Sequence, residues 1–100
     1  MARKPNITLI FVRAPDVEWV MKEIFDAINT IYRLNKKPIT VEYENSDLIK
    51  LRVPGEGRIS IFALNDTIAE IDLRDFTGDP TEILESLLTR FEWNNVKWSC

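Results

Sequence analysis

The chain has 100 residues, 16 of them acidic and 13 basic, for a formal net charge of −3. That length predicts a single α+β domain, residues 1–100, with one core, and the acidic balance argues against a phosphate-neutralising surface of clustered Lys and Arg. Histidine and glutamine are absent and Cys100 is the lone cysteine, which removes the commonest general base and any intrachain disulfide.

Residues 1–5 read as a short tail without the apolar core of a signal peptide. No apolar run reaches the ~18–20 residues of a membrane span. With a lone thiol, these features predict a reducing, cytoplasmic setting and no membrane partner.

Ile7 to Val12 is a β-branched, apolar run and predicts a strand. Ile7, Leu9 and Phe11 share one face, and Ile10 and Val12 the other. Ala14-Pro15-Asp16 breaks the run and opens a helix reaching about Asn35. At 100° per residue, Val17, Val20, Met21, Ile24, Ile28, Ile31 and Tyr32 form an apolar stripe. Trp19 falls on the opposite, polar side, beside Lys22, Glu23 and Asp26.

The stretch from Pro38 to Asp75 reads as a four-strand meander. Ile39, Val41 and Tyr43 alternate with Thr40, Glu42 and Glu44, and Asn45-Ser46-Asp47 is a turn. Ile49, Leu51 and Val53 then alternate with Lys50 and Arg52. A three-residue loop pairs Tyr43 with Ile49, Val41 with Leu51 and Ile39 with Val53 inward, and Glu42 with Lys50 outward. After the Pro54–Gly57 turn, Ile59, Ile61 and Ala63 face inward, with Ser60, Phe62 and Leu64 outward. Asn65-Asp66-Thr67 turns into a strand from Ile68 to Arg74, with Ala69, Ile71 and Leu73 inward and Ile68, Glu70 and Asp72 outward. The inward residues of these two strands pair as Ala63–Ala69, Ile61–Ile71 and Ile59–Leu73.

Asp79-Pro80-Thr81-Glu82 carries the cap, first-turn proline and acid of a helix start. Ile83, Leu84, Leu87, Leu88 and Phe91 form its apolar stripe. The segment Val96–Cys100 is either an edge strand or a docked tail.

The order is β-α-β-β-β-β-α, which predicts one curved antiparallel sheet with two helices packed on one face. The first strand belongs beside Ile68–Arg74. This order resembles that of TATA-binding-protein-like domains. The resemblance is one of architecture, without a sequence motif of that family.

Chemistry has little support. Asp72, Asp75 and Asp79 could hold a hard cation, but Asp79 serves as a cap and Asp72 as an outward strand residue, so neither metal nor cofactor is expected. Serines without a histidine partner lack an activating base. The expected class is therefore non-enzymatic: a small acidic module that docks on a protein partner or on itself, as an inhibitor, immunity-type, viral accessory or adaptor protein. Its candidate residues are Trp19, Phe62, Leu64, Ile68 and Trp98, rimmed by Glu42, Glu70 and Asp72. Trp19 qualifies as a tryptophan on a polar helix side, and Phe62, Leu64 and Ile68 as an outward apolar group. Two alternatives remain: a nucleic-acid-binding sheet using Lys50, Arg52 and Arg58, or a designed chain with no natural partner.

Overall fold

The computed structural model describes residues 6–10, 17–65, 68–91 and 96–99, with side chains except those of Val17 and residues 96–99. The elements are β1 (Asn6–Ile10), α1 (Val17–Leu34), β2 (Thr40–Glu44), β3 (Leu48–Val53), β4 (Gly57–Asn65), β5 (Ile68–Asp72), α2 (Pro80–Arg90) and β6 (Val96–Ser99). The α+β arrangement matches the expected order, with one antiparallel sheet and both helices on one face. Residues 1–5, Phe11, Val12, Ala14, Pro15, Asp16, Asp66, Thr67 and Cys100 lie outside the described residues.

The strands lie in the order β2-β3-β4-β5-β1-β6. β1 pairs antiparallel with β5, Ile7 opposite Ile71 and Leu9 opposite Ala69, beside the strand expected for it. The C-terminal segment is an edge strand, β6, on the far side of β1. β1 is therefore an inner strand. A run apolar on alternate positions suits that place, since both of its backbone edges are hydrogen-bonded.

Hydrophobic alternation decides which residues enter the core. Ile7, Leu9, Ile49, Leu51, Val53, Ile59, Ile61, Ile71 and Leu73 are almost fully buried on the helix-covered face. α1 contributes Val20, Met21, Ile24, Ala27, Ile28 and Tyr32, and α2 contributes Ile83 and Leu87. Burying a side chain of this size stabilises by about 1.5–3 kcal/mol, so this single layer carries the fold.

The helix ends are built as the sequence implies. Asp79 caps α2, its Oδ1 accepting from the Thr81 N–H at 2.9 Å. α1 ends in a left-handed residue, Lys36, at φ 58°. The Lys37 and Lys36 N–H groups donate back to the Tyr32 and Arg33 carbonyls at 2.8 and 3.1 Å, a Schellman closure.

The first hairpin departs from its expected register. Thr40–Arg52 and Val41–Leu51 pair as expected, but Tyr43 then opposes Lys50 and Glu44 opposes Ile49, with a bulge between Val41 and Tyr43. The cause is the turn. Asn45 Oδ1 accepts from the Asp47 and Leu48 N–H groups, each at 2.8 Å, and the Asn45 N–H donates to the Leu48 carbonyl. That Asx-turn closes the hairpin on two residues, Ser46 and Asp47, instead of three. The bulge restores the register further along. Nor does β2 face the core: every residue in it is exposed, with Val41 at 43% and Tyr43 at 49%.

The second hairpin keeps its register through Ala63–Ala69, Phe62–Glu70, Ile61–Ile71 and Ser60–Asp72. Leu64 occupies a bulge, so Asn65 is the residue opposite Ile68.

A backbone clasp joins the β3–β4 turn to the segment after β5. The Arg58 N–H donates to the Asp75 carbonyl at 3.0 Å and the Thr77 N–H to the Glu56 carbonyl at 2.7 Å. Gly57 sits between them at φ 98°, where a Cβ would collide with the Asp75 carbonyl oxygen. Gly55, at φ 76°, faces open space. Gly57→Ala should therefore cost more than about 2 kcal/mol through strain plus collision, and Gly55→Ala about 1 kcal/mol through strain alone. Urea denaturation of the two variants checks the ranking; equal losses would show that the clasp yields freely.

Candidate functional site

The face of the sheet opposite the helices is where side chains remain available. Cross-strand register arranges them in rows. One row runs Leu48, Phe62, Glu70, Thr8. The next holds Lys50, Ser60 and Asp72. A third holds Arg52 opposite Arg58. At the other end Ile68 lies between Asn65 and Ile10. The face is thus segregated along the strand direction, apolar at one end and charged at the other.

The apolar end contains three of the expected residues. Phe62 and Ile68 are half-buried, and Leu64, in its bulge, is 56% exposed. Leu48 and Ile10, half-buried as well, extend the group on both sides. Among the described residues, these side chains are shielded by their cross-strand neighbours, which accounts for the intermediate burial.

The three rim carboxylates are all engaged within the chain. Glu42 Oε1 accepts from Arg58 Nε at 2.8 Å, and its Oε2 lies 3.5 Å from Arg52 Nε. This replaces the expected Glu42–Lys50 pairing and follows from the bulge, which shifts Glu42 out of line with Lys50. Asp72 accepts a forked pair of hydrogen bonds from Arg74, at 3.0 Å from Nε and 2.6 Å from Nη2. Glu70 accepts from Asn6 Nδ2 at 3.2 Å, while Asn6 Oδ1 accepts the Leu73 N–H at 3.0 Å. Asn6 thereby ties the first strand to the end of β5.

Two expected residues lie elsewhere. Trp19, 49% exposed, has its ring edge-on to Phe91 with centroids 6.1 Å apart. One turn along, Arg90 Nη1 donates to Asp26 Oδ2 at 2.8 Å and Glu23 Oε2 at 3.3 Å. Trp19 thus helps dock α2 on α1. Trp98 is placed by backbone register opposite Ile7 on β6, away from the β4–β5 hairpin in the strand order.

A second feature went unnoticed in the sequence. Tyr32, edge-on to Phe76 at 6.1 Å, lines a cleft of about 300 Å³ with Asn35, Lys37, Glu56, Asp79 and Glu82. Burial pushes the Tyr32 phenol far above its ordinary value, and the charges of Glu56, Glu82 and Asp79 push the same way. Lys37 Nζ donates to Glu56 Oε1 at 3.0 Å, tying the end of α1 to the β3–β4 turn. A phenol held protonated neither attacks nor accepts protons readily and remains a hydrogen-bond donor. Among the described residues no three His, Cys, Asp or Glu side chains could hold a metal ion together. Among them, too, no helix is long and apolar enough to cross a membrane.

No known protein family, curated protein or solved structure matches this chain. The resemblance to TATA-binding-protein-like domains accordingly rests on the order of elements alone.

Two outcomes follow from this geometry. Ile61→Ser should cost at least about 3 kcal/mol, because it leaves a cavity and a buried hydroxyl. Its neighbour Phe62→Ser should cost about 1 kcal/mol, since that side chain loses only partial shielding. Similar losses by thermal or urea denaturation would mean that the second face is covered. The lowered acidity of Tyr32 is also testable. The unfolded phenol ionises from about pH 10, while the folded one stays protonated. Above pH 10 the unfolded state binds fewer protons, so stability falls as pH rises, by up to about 1.4 kcal/mol per pH unit from this residue. Tyr32→Phe should lose that portion of the slope; parallel stability–pH curves for the two proteins would contradict the shift.

Proposed function

We propose that this chain is a non-enzymatic docking module that presents the open face of its sheet to another protein surface. The observation that carries this reading is the apolar end of that face, Phe62 with Leu48, Ile10, Leu64 and Ile68. The helices lie on the opposite face, and Leu64 is more than half exposed. A contiguous apolar group of this kind, bordered by polar side chains, suits an interface in a soluble domain. Its neighbours Glu70 and Asp72 are held by partners within the chain, as is Glu42 at the charged end. They act in this reading as a fixed rim that excludes water around the apolar contact. The mechanism is steric: the sheet covers a working surface of its partner, as an inhibitor, an immunity-type protein or an adaptor does. A reducing, cytoplasmic setting belongs to the same proposal and is supported by the single cysteine of the sequence.

A photo-crosslinking residue at Phe62, in cells that express the chain, tests the proposal against a control at Glu85, an exposed residue of α2. The expected result is one dominant protein adduct from position 62, absent from position 85. Reconstituted from pure components, that complex should weaken at least tenfold with Phe62→Ser, about 1.4 kcal/mol or more. If the adduct is the chain itself, sedimentation should show a concentration-dependent dimer that Phe62→Ser abolishes. Equal labelling from both positions would sink the reading.

A further inference from the structure

The charged end of the open face has a chemistry of its own. Arg52 and Arg58 stand directly opposite each other on β3 and β4, an arrangement of like charges that is destabilising unless something neutralises it. One carboxylate, Glu42, bridges the two through their Nε atoms, at 3.5 and 2.8 Å. Lys50, in the next row, makes no ion pair among the described residues. Among the described residues, Glu42 is thus the one carboxylate in an ion pair with this trio of Lys50, Arg52 and Arg58 on the β3–β4 stripe. Both arginines are more than half exposed, and the Nη donors of neither hydrogen-bond to a described residue. They border a cleft of about 570 Å³ that continues onto the Pro54–Gly55 turn, Gly57 and Asp75. Asp75 lies in the field of Arg74, on the β5 side of this cleft.

We infer that this cleft takes a carboxylate presented by the docking partner, bound by the Nη groups of Arg52 and Arg58 in competition with Glu42. Guanidinium forks suit planar oxyanions, and on β3 and β4 three cations, Lys50, Arg52 and Arg58, stand near the ion-paired Glu42, with Asp75 at the far side of the cleft. Arg58 and Phe62 are four residues apart on β4, about 13 Å at strand rise. The partner surface therefore carries an acidic side chain about that far from its apolar contact. The inference rests on the docking reading for the identity of the ligand, but the cleft itself can be tested without any partner. The chain's net charge of −3 favours a protein carboxylate over a nucleic acid, whose backbone would be repelled beyond the stripe.

The test is titration of the whole chain with an acetylated tetraglutamate peptide at low salt, read by NMR of the arginine Nε–Hε groups. Arg52 and Arg58 should shift together and saturate, while Arg33 and Arg90 stay in place. Arg58→Gln should weaken binding at least fivefold. Glu42→Gln, which removes the internal competitor, should strengthen it severalfold, whereas a purely structural Glu42 would give lower stability and unchanged or weaker binding. A uniform, unsaturated drift of all arginines overturns the inference. Tighter binding of inorganic phosphate or of a DNA duplex at the same two arginines overturns the choice of a carboxylate. None of these readouts involves Phe62, so a failed cleft and a failed docking surface give separate results.

Discussion

Two helices cannot cover both faces of a six-stranded sheet. Packed side by side at 8–10 Å, they shield a width of about 20 Å on one face, while six strands at about 4.8 Å span about 24 Å between their outer axes. Most of the architecture follows from this mismatch. The core must be a single layer, and the strands must alternate so that isoleucine, leucine and valine meet the helices. Val53, Ile59, Ile61, Ile71 and Leu73 do so, while their neighbours Arg52, Ser60, Phe62, Glu70 and Asp72 face the other way. The same mismatch leaves one edge beyond the helices. β2 lies there, and Val41 and Tyr43, though patterned like core residues, are exposed.

Closing the covered layer at one corner takes more than hydrophobic alternation. α1 ends at Lys36 and Lys37, the β3–β4 turn at Glu56 and Gly57, and β5 runs into Phe76. Lys37 meets Glu56, Tyr32 meets Phe76, and the backbones of Glu56, Arg58, Asp75 and Thr77 hydrogen-bond to one another. Three segments distant in sequence are thereby held at fixed spacing, and the ends of β3 and β4 that carry Arg52 and Arg58 are held with them. The rigidity that positions the charged end of the open face comes from contacts made on the other side of the sheet.

Much of this was legible in the residues themselves. Strand alternation gave the inward set of β3, β4 and β5, and the 3.6-residue period gave the buried stripe of α1. The Asp79–Pro80 pair marked the start of α2. What the residues did not reveal depends on atoms far apart in the chain or on side chains competing with backbone. Asn45 accepts two backbone N–H groups and so shortens the first turn by one residue, a choice that hydrophobic pairing alone does not register. Tyr43 and Val41 carry the pattern of core residues, yet burial also requires a helix overhead. Phe76 stands among Asp72, Asp75 and Asp79 and looks like part of an acidic loop, until Tyr32 is brought against it.

The candidate site divides in the same way. Phe62, Leu64 and Ile68 follow from alternation and share the open face because β4 and β5 keep their register. Trp19 looked like a free anchor because a helix of this length shows its polar side in the sequence, whereas Phe91 and Arg90 arrive from another element. The carboxylates Glu42, Glu70 and Asp72 looked like a steering rim, and each has a donor within the chain. Internal pairing changes what the face can recognise. A carboxylate already holding a guanidinium contributes little to a basic partner, whereas the Nη donors of the two arginines, which meet no acceptor among the described residues, suit an acidic one. What this face can recognise is therefore set by which of its charged groups already have partners, and not by the net charge of the chain.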